Sequence, residues 1–190
     1  MKKLIVIVAA IAAASFSANA QWSINAGYSS SAMKYTAGDY SELSTGYNGF
    51  TVGGAYTLPI VSNLAAEFGA NVDFATRDLD GFKDTLLDIR IPASLVYSFN
   101  FGKWGIAPFA GLDLGAYLVG NETRDNVDSF SLFDEEGVSR FIFDWHAGFR
   151  VNFWRMYIGY TFESGITNFC TYDYAKIKAQ RNMLTIGYRF

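Results

Sequence analysis

The chain has 190 residues, with 15 Lys and Arg against 18 Asp and Glu, one His, one Cys, 17 Phe, 12 Tyr and 4 Trp. An aromatic share of 17% with only 3 Pro excludes a disordered or collagen-like polymer, and a single Cys excludes a disulfide scaffold. A formal charge of −3 gives no electrostatic case for binding nucleic acid, and the length suits one domain.

Residues 1–20 read as a secretory signal, leaving 21–190 as the mature domain. Lys2 and Lys3 supply a positive start, and Leu4 to Ala14 form an apolar run of 11 residues. Ser17-Ala18-Asn19-Ala20 gives a small-x-small pattern that places cleavage between Ala20 and Gln21. A membrane anchor is the alternative, but 11 apolar residues fall short of the ~20 that span a bilayer. Losing Lys2 and Lys3 leaves 13 basic against 18 acidic groups, a net charge of −5.

From there the chain alternates apolar and polar residues, the pattern of strands with two unlike faces. Trp22–Ser30 and Tyr47–Thr57 are the first two expected strands. Leu64 to Phe74 sets Leu64, Phe68, Val72 and Phe74 against Glu67, Gly69, Asn71 and Asp73. Leu87 to Phe99 sets Leu87, Ile89, Ile91 and Leu95 against Asp88, Arg90, Pro92 and Ser94. Ile106–Leu118 is the fifth strand. Phe141 to Phe153 is the clearest run, with Phe141, Phe143, Trp145, Phe149 and Val151 opposing Asp144, His146, Gly148, Arg150 and Asn152. Met156–Gly165 and a final strand from Leu184 to Phe190 complete eight. Connections Leu58–Asn63, Asn100–Gly105 and Trp154–Arg155 are short; Ser31–Gly46, Ala75–Leu86, Val119–Arg140 and Thr167–Arg181 are long.

Alternation alone does not say which face is outside. A soluble exported barrel would turn its apolar face inward around a small apolar ligand, whereas a membrane barrel turns it to lipid. The polar face mixes carboxylates and arginines with many glycines, which suits a narrow lumen filled by side chains. Aromatics gather near strand ends: Trp22, Trp104, Phe153, Trp154 and Phe190 on the short-turn side, Phe50, Phe74, Phe141 and Trp145 on the other. Two such girdles are what a bilayer interface selects. Tyr188-Arg189-Phe190 ends the last strand on an aromatic and resembles the C-terminal signal read by the outer-membrane barrel assembly machinery. The expected fold is all-β: an eight-stranded antiparallel up-and-down transmembrane β-barrel with four long outer loops and three short periplasmic turns. The expected setting is the cell outer membrane, with the lipid bilayer and lipopolysaccharide as surroundings.

The stretch from Phe101-Gly102-Lys103-Trp104-Gly105-Ile106 through Gly111-Leu112-Asp113-Leu114-Gly115 resembles a strand signature of the PorT-type outer-membrane β-barrel family of Bacteroidetes-like bacteria. Asp88-Ile89-Arg90-Ile91-Pro92, Ala147-Gly148-Phe149-Arg150-Val151 and Tyr157-Ile158-Gly159-Tyr160 resemble it too. The similarity covers about residues 50–190. It implies fold and location and assigns no catalytic residue; no cofactor is expected.

Ten residues are expected to line the lumen: Glu67, Asp73, Asp88, Arg90, Asp113, Asp144, His146, Arg150, Glu163 and Arg189. Carboxylates near a histidine can serve as an acid/base or metal site, but a narrow barrel must also neutralise its own charges, because a buried unpaired ion is costly. The self-satisfying structural network is the preferred reading. His146 is the only histidine, and a Ser/His/acid hydrolase modifying lipid would have to be built on it, with Ser94 or Ser98 as the available hydroxyls. Cys170 lies in the fourth long loop without a partner or a neighbouring base. The third loop, Asn121 to Glu136, carries several carboxylates without regular Ca²⁺-ligand spacing. Its Phe130, Leu132 and Phe133 could meet a surface partner or tuck against neighbouring loops. Asp84-Thr85-Leu86 resembles a short O-glycosylation site. The expected role is structural or surface-interacting, as a monomer.

Overall fold

The computed structural model describes residues 21–37, 40–43, 46–79, 81–124, 127–133, 138–172 and 175–190. The expected signal, residues 1–20, lies outside the described residues, and the first strand starts at Gln21. Twelve strands follow in order: β1 (Gln21–Ala37), β2 (Tyr40–Leu43), β3 (Tyr47–Val61), β4 (Leu64–Leu79), β5 (Phe82–Tyr97), β6 (Phe99–Phe101), β7 (Trp104–Arg124), β8 (Val127–Ser131), β9 (Phe141–Phe153), β10 (Met156–Gly165), β11 (Cys170–Tyr172) and β12 (Ala175–Arg189). Eight of them form the ring β1-β3-β4-β5-β7-β9-β10-β12. Every neighbour is antiparallel, and β12 pairs back onto β1 to close it. Closure leaves no open edge for the backbone to expose to lipid. The short β2, β8 and β11 lengthen hairpins at one end, while β6 pairs with β7 at the other.

All four stretches expected as long loops contain strand, two of them almost throughout. Leu79 pairs with Phe82, so Ala75–Leu86 is a hairpin tip between β4 and β5, with Gly81 at φ 86°. β12 starts at Ala175 and so absorbs most of Thr167–Arg181. The long connections are therefore largely continuations of the barrel wall beyond the apolar band. On β7 that band runs outward from Ile106 to Leu118, roughly 40 Å of strand, or about 30 Å of height at the usual tilt. Above it, one extra residue interrupts the alternation. Leu87 pairs with Val119 and Asp88 with Tyr117, so Leu118 bulges outward while Tyr117 stays in the lumen.

Burial is inverted relative to a soluble domain. Trp22, Phe50, Ile91, Leu95, Leu112, Phe149, Ile158 and Leu184 are exposed on the outer wall, while Asp73, Asp113, Arg90 and His146 are buried inside. The reading of a soluble barrel with aromatics around an apolar ligand is thereby overturned: the lumen is polar and the apolar face is external. Aromatic pairs gird both ends, Trp22 with Tyr56 (4.7 Å between centroids) and Phe101 with Trp104 (4.8 Å) at the short turns, Phe50 with Phe74 (5.4 Å) and Trp145 with Phe162 (5.5 Å) towards the long hairpins. Lumen glycines make room for neighbouring side chains. A Cβ at Gly111 would stand 2.8 Å from Nε2 of His146, and one at Gly187 would meet the ring of Tyr157.

Candidate functional site

The lumen is filled in layers. At its long-hairpin end Tyr47, Leu86, Tyr117 and Ile142 form an apolar cap, joined by Met33, Leu132, Phe133 and Phe169. The ring of Phe133 stacks 5.6 Å from Tyr117, and the Arg140 guanidinium lies 4.6 Å above Phe133. Leu132 and Phe133 thus pack into the cap. The side chain of Phe130 lies outside the described residues, as does that of Cys170. Beside the cap, Tyr47 donates to Asp84 at 3.0 Å and Arg77 Nε donates to the same carboxylate at 2.9 Å. Asp84 therefore faces inward from a strand, so Asp84-Thr85-Leu86 is not a loop segment.

Below the cap lies the main charge layer. The ladder sets Asp73 directly opposite Asp88, and Asp113 opposite Asp144. Like charges at such positions repel, and guanidiniums intervene. Arg90 donates through Nε to Asp88 at 2.8 Å and through Nη1 to Asp144 at 2.7 Å and Glu163 at 3.1 Å. Arg181 donates to Glu163 through Nε at 2.9 Å and Nη2 at 2.7 Å, and its Nη1 stands 3.1 Å from Asp73. Arg181 is absent from the ten residues expected in the lumen, because its segment read as a loop. Counting back by twos from Gly187 would have found it on the inward face.

In the middle of the barrel the register lines up Ser94, Gly111 and His146 across β5, β7 and β9. With no side chain at Gly111, Ser94 Oγ and His146 Nε2 meet at 2.7 Å, and His146 Nδ1 meets Asp113 at 2.5 Å. In the tautomer with the proton on Nδ1, the imidazole donates to Asp113 and accepts from the serine at Nε2. This is the hydroxyl–imidazole–carboxylate order of an activated nucleophile. All three are buried, next to a cavity of about 70 Å³, room for a few waters. The strand backbone around them is committed to the ladder and supplies no free pair of N–H groups for an oxyanion.

Towards the short turns, Arg150 grips Glu67 with two nitrogens, Nη1 at 2.7 Å, while Thr57 adds a bond at 3.0 Å. The Arg150 guanidinium is stacked between Phe109 (4.7 Å) and Tyr157 (5.1 Å). Arg189, the tenth expected residue, feels Glu67 without pairing directly with it: it is only half-buried, donates to Asn152 at 2.7 Å and lies over Tyr157. Of the two residues expected to form the C-terminal assembly signal, Tyr188 stacks on Phe190 at 5.3 Å, and Phe190 is exposed on the outer wall. Among the described residues no three His, Cys, Asp or Glu side chains converge as a metal-ion set.

Solved structures share this architecture. Ail, the attachment invasion locus protein of Yersinia pestis, is 18% identical with a TM-score of 0.53, covering 90% of this chain and 98% of that one. Ail in complex with the heparin analogue sucrose octasulfate is 17% identical at the same TM-score, covering 90% and 99%. The outer membrane enzyme PagL is 11% identical with a TM-score of 0.50, covering 84% and 98%. At these identities the likeness is one of fold. No curated protein matches the chain. The family model described as outer membrane protein beta-barrel domain matches residues 4–190, and the chain belongs to that family, as a small eight-stranded barrel of the outer membrane.

Proposed function

We propose that this barrel is a structural or surface-interaction protein whose lumen is plugged and whose contacts are made by the wall extensions beyond the apolar band. The observation that carries the reading is the layer of Arg90 and Arg181 with Asp73, Asp88, Asp144 and Glu163, which fills the cross-section beneath an apolar cap. In planar bilayers the refolded protein should give no ion conductance above background; steady single-channel steps would refute the plug.

The partner chemistry we favour is the phosphate of lipopolysaccharide. Lys34 of β1 faces Lys178 of β12 directly across the closing seam, with Lys176 two residues further out. Two like charges opposite each other weaken a ladder unless an anion bridges them. By the same reading residues 1–20 are removed on export, Tyr188 and Phe190 serve the assembly machinery, and the resemblance of the strand motifs supports a PorT-type affiliation. A surface partner at Phe130–Phe133 would have to take Phe133 out of the cap. Lysine-to-glutamine changes at 34 and 178 should reduce retention on lipopolysaccharide-containing bilayers, with the heat-modifiable gel shift unchanged.

A lipid-modifying enzyme is the second reading, resting on Ser94, His146 and Asp113. Their burial inside the wall argues against it, since a lipid ester lies on the opposite face. Phospholipid or lipopolysaccharide acyl release that disappears in His146→Gln would restore it.

A further inference from the structure

Charge is sorted along the barrel axis. Among the described residues Glu67 is the one acidic side chain near the short turns, and both of its oxygens are held by Arg150. Among the described residues Lys103 and Arg155 form no ion pair, and Arg189 feels Glu67 only from beyond ion-pair distance while Arg150 holds that carboxylate. Arg189 makes no ion pair among the described residues, and its bond to Asn152 uses one of five guanidinium donors. A half-buried cation in that state is a ready partner for an anion.

Beside these groups lies an open cleft of about 600 Å³, between the turn at Gly102 and Lys103 and the turn at Trp154. The Trp154 N–H donates to the Lys103 carbonyl at 3.0 Å and ties the two turns together. Lys103 and Arg189 line the cleft, and so do Trp104, Phe153 and Trp154, whose side chains are exposed on the aromatic girdle. A polar pocket whose wall runs without a break onto the lipid-facing surface fits a ligand with an anionic head and an apolar tail better than a soluble anion.

We propose that this cleft binds the phosphodiester headgroup of an anionic glycerophospholipid of the periplasmic leaflet, with Lys103 and Arg189 on the phosphate and the acyl chains against Trp104 and Phe153. The site rests on the short turns facing the periplasm and is independent of the outer hairpins and of the plug.

The test is native mass spectrometry of the refolded full barrel, released from a mixture of equal phosphatidylglycerol and phosphatidylcholine with identical chains. Phosphatidylglycerol adducts should exceed phosphatidylcholine adducts by about 25-fold, about fivefold from each of the two cations. The preference should fall about fivefold for each cation removed in Lys103→Ala and Arg189→Gln, and Arg189→Lys should retain most of it. Because Arg189 lies in the closing strand, Lys103→Ala is the primary variant, with the gel shift confirming that it has folded. Equal adducts on the wild-type barrel, or a preference untouched by Lys103→Ala, would overturn the site. So would glycerol 3-phosphate binding that depends on Lys103 while the lipids show no preference, since that describes a pocket for a free anion. None of these outcomes bears on conductance or lipopolysaccharide retention.

Discussion

Arg181 and Asp73 face each other in the outer charge layer, and removing one should have an effect quite unlike removing the other. The layer holds four carboxylates and two guanidiniums, so it carries an excess of two negative charges when all are ionised. Arg181→Gln raises that excess to three and strips Glu163 of two bonds at 2.9 and 2.7 Å. Every group involved is buried, so water does little to screen the change. Glu163 keeps its bond from Arg90 at 3.1 Å, but Asp73 loses its nearest cation, and removing one partner of a buried ion network costs about 3–5 kcal/mol. Asp73→Asn lowers the excess to one. Although Arg181 Nη1 stands 3.1 Å from Asp73, neither Asp73 oxygen accepts a well-aligned hydrogen bond, and Asp88 faces it across the ladder. That change should fall within about 1 kcal/mol of the parent, on the stabilising side if repulsion dominates. Urea titration of tryptophan fluorescence in lipid vesicles, with the heat-modifiable gel shift as a second probe, measures both. Equal destabilisation by the two substitutions would refute the view that the layer is limited by cations.

Other outcomes follow from local geometry. Gly187→Ala drives a methyl group into the Tyr157 ring and should cost about 1–3 kcal/mol, relieved by Tyr157→Leu in the double variant. Gly102 has open space around its Cβ position and φ 73°, so Gly102→Ala should cost only the backbone term, about 1 kcal/mol, with Asn tolerated better; refolding yield and urea midpoint report it. Ser94→Ala leaves Nε2 of His146 without its partner at about 1–3 kcal/mol. In the folded barrel Ser94 should also stay unmodified by a fluorophosphonate, read by peptide mass spectrometry; a stoichiometric adduct would reopen the nucleophile reading.

The strand faces were legible because lipid on one side and a packed polar lumen on the other impose a period of two, as in Phe141–Phe153. That contrast vanishes where a strand leaves the bilayer. From Ala175 to Gln180 the outward positions are Lys176, Lys178 and Gln180, no more apolar than the inward ones, so the strand looked like loop and Arg181 was lost with it. The same happened at Ala75–Leu86, although Asp80-Gly81 is a hairpin-turn signal in its own right. Ser94 and Ser98 were both available to His146 from the strand pattern, but the choice of Ser94 and the join with Asp113 were not legible. That join depends on the register of β5 and β9 against β7, including the absent side chain at Gly111, and no single strand's pattern carries that information.

The β1–β12 seam has a consequence for the order of events in folding. Its ladder runs from Ser23 with Arg189 to Thr36 with Lys176, joining residues almost as far apart in sequence as the chain allows. No hairpin formed earlier can substitute for it. β12 is the segment that converts an open sheet with two bare edges into a closed cylinder. Contacts of such separation form late and slowly, so closure of the cylinder waits on the fifteen residues of β12. A chain stopped before Ala175 would hold seven wall strands with β1 and β10 unpaired, a template for aggregation rather than a smaller barrel.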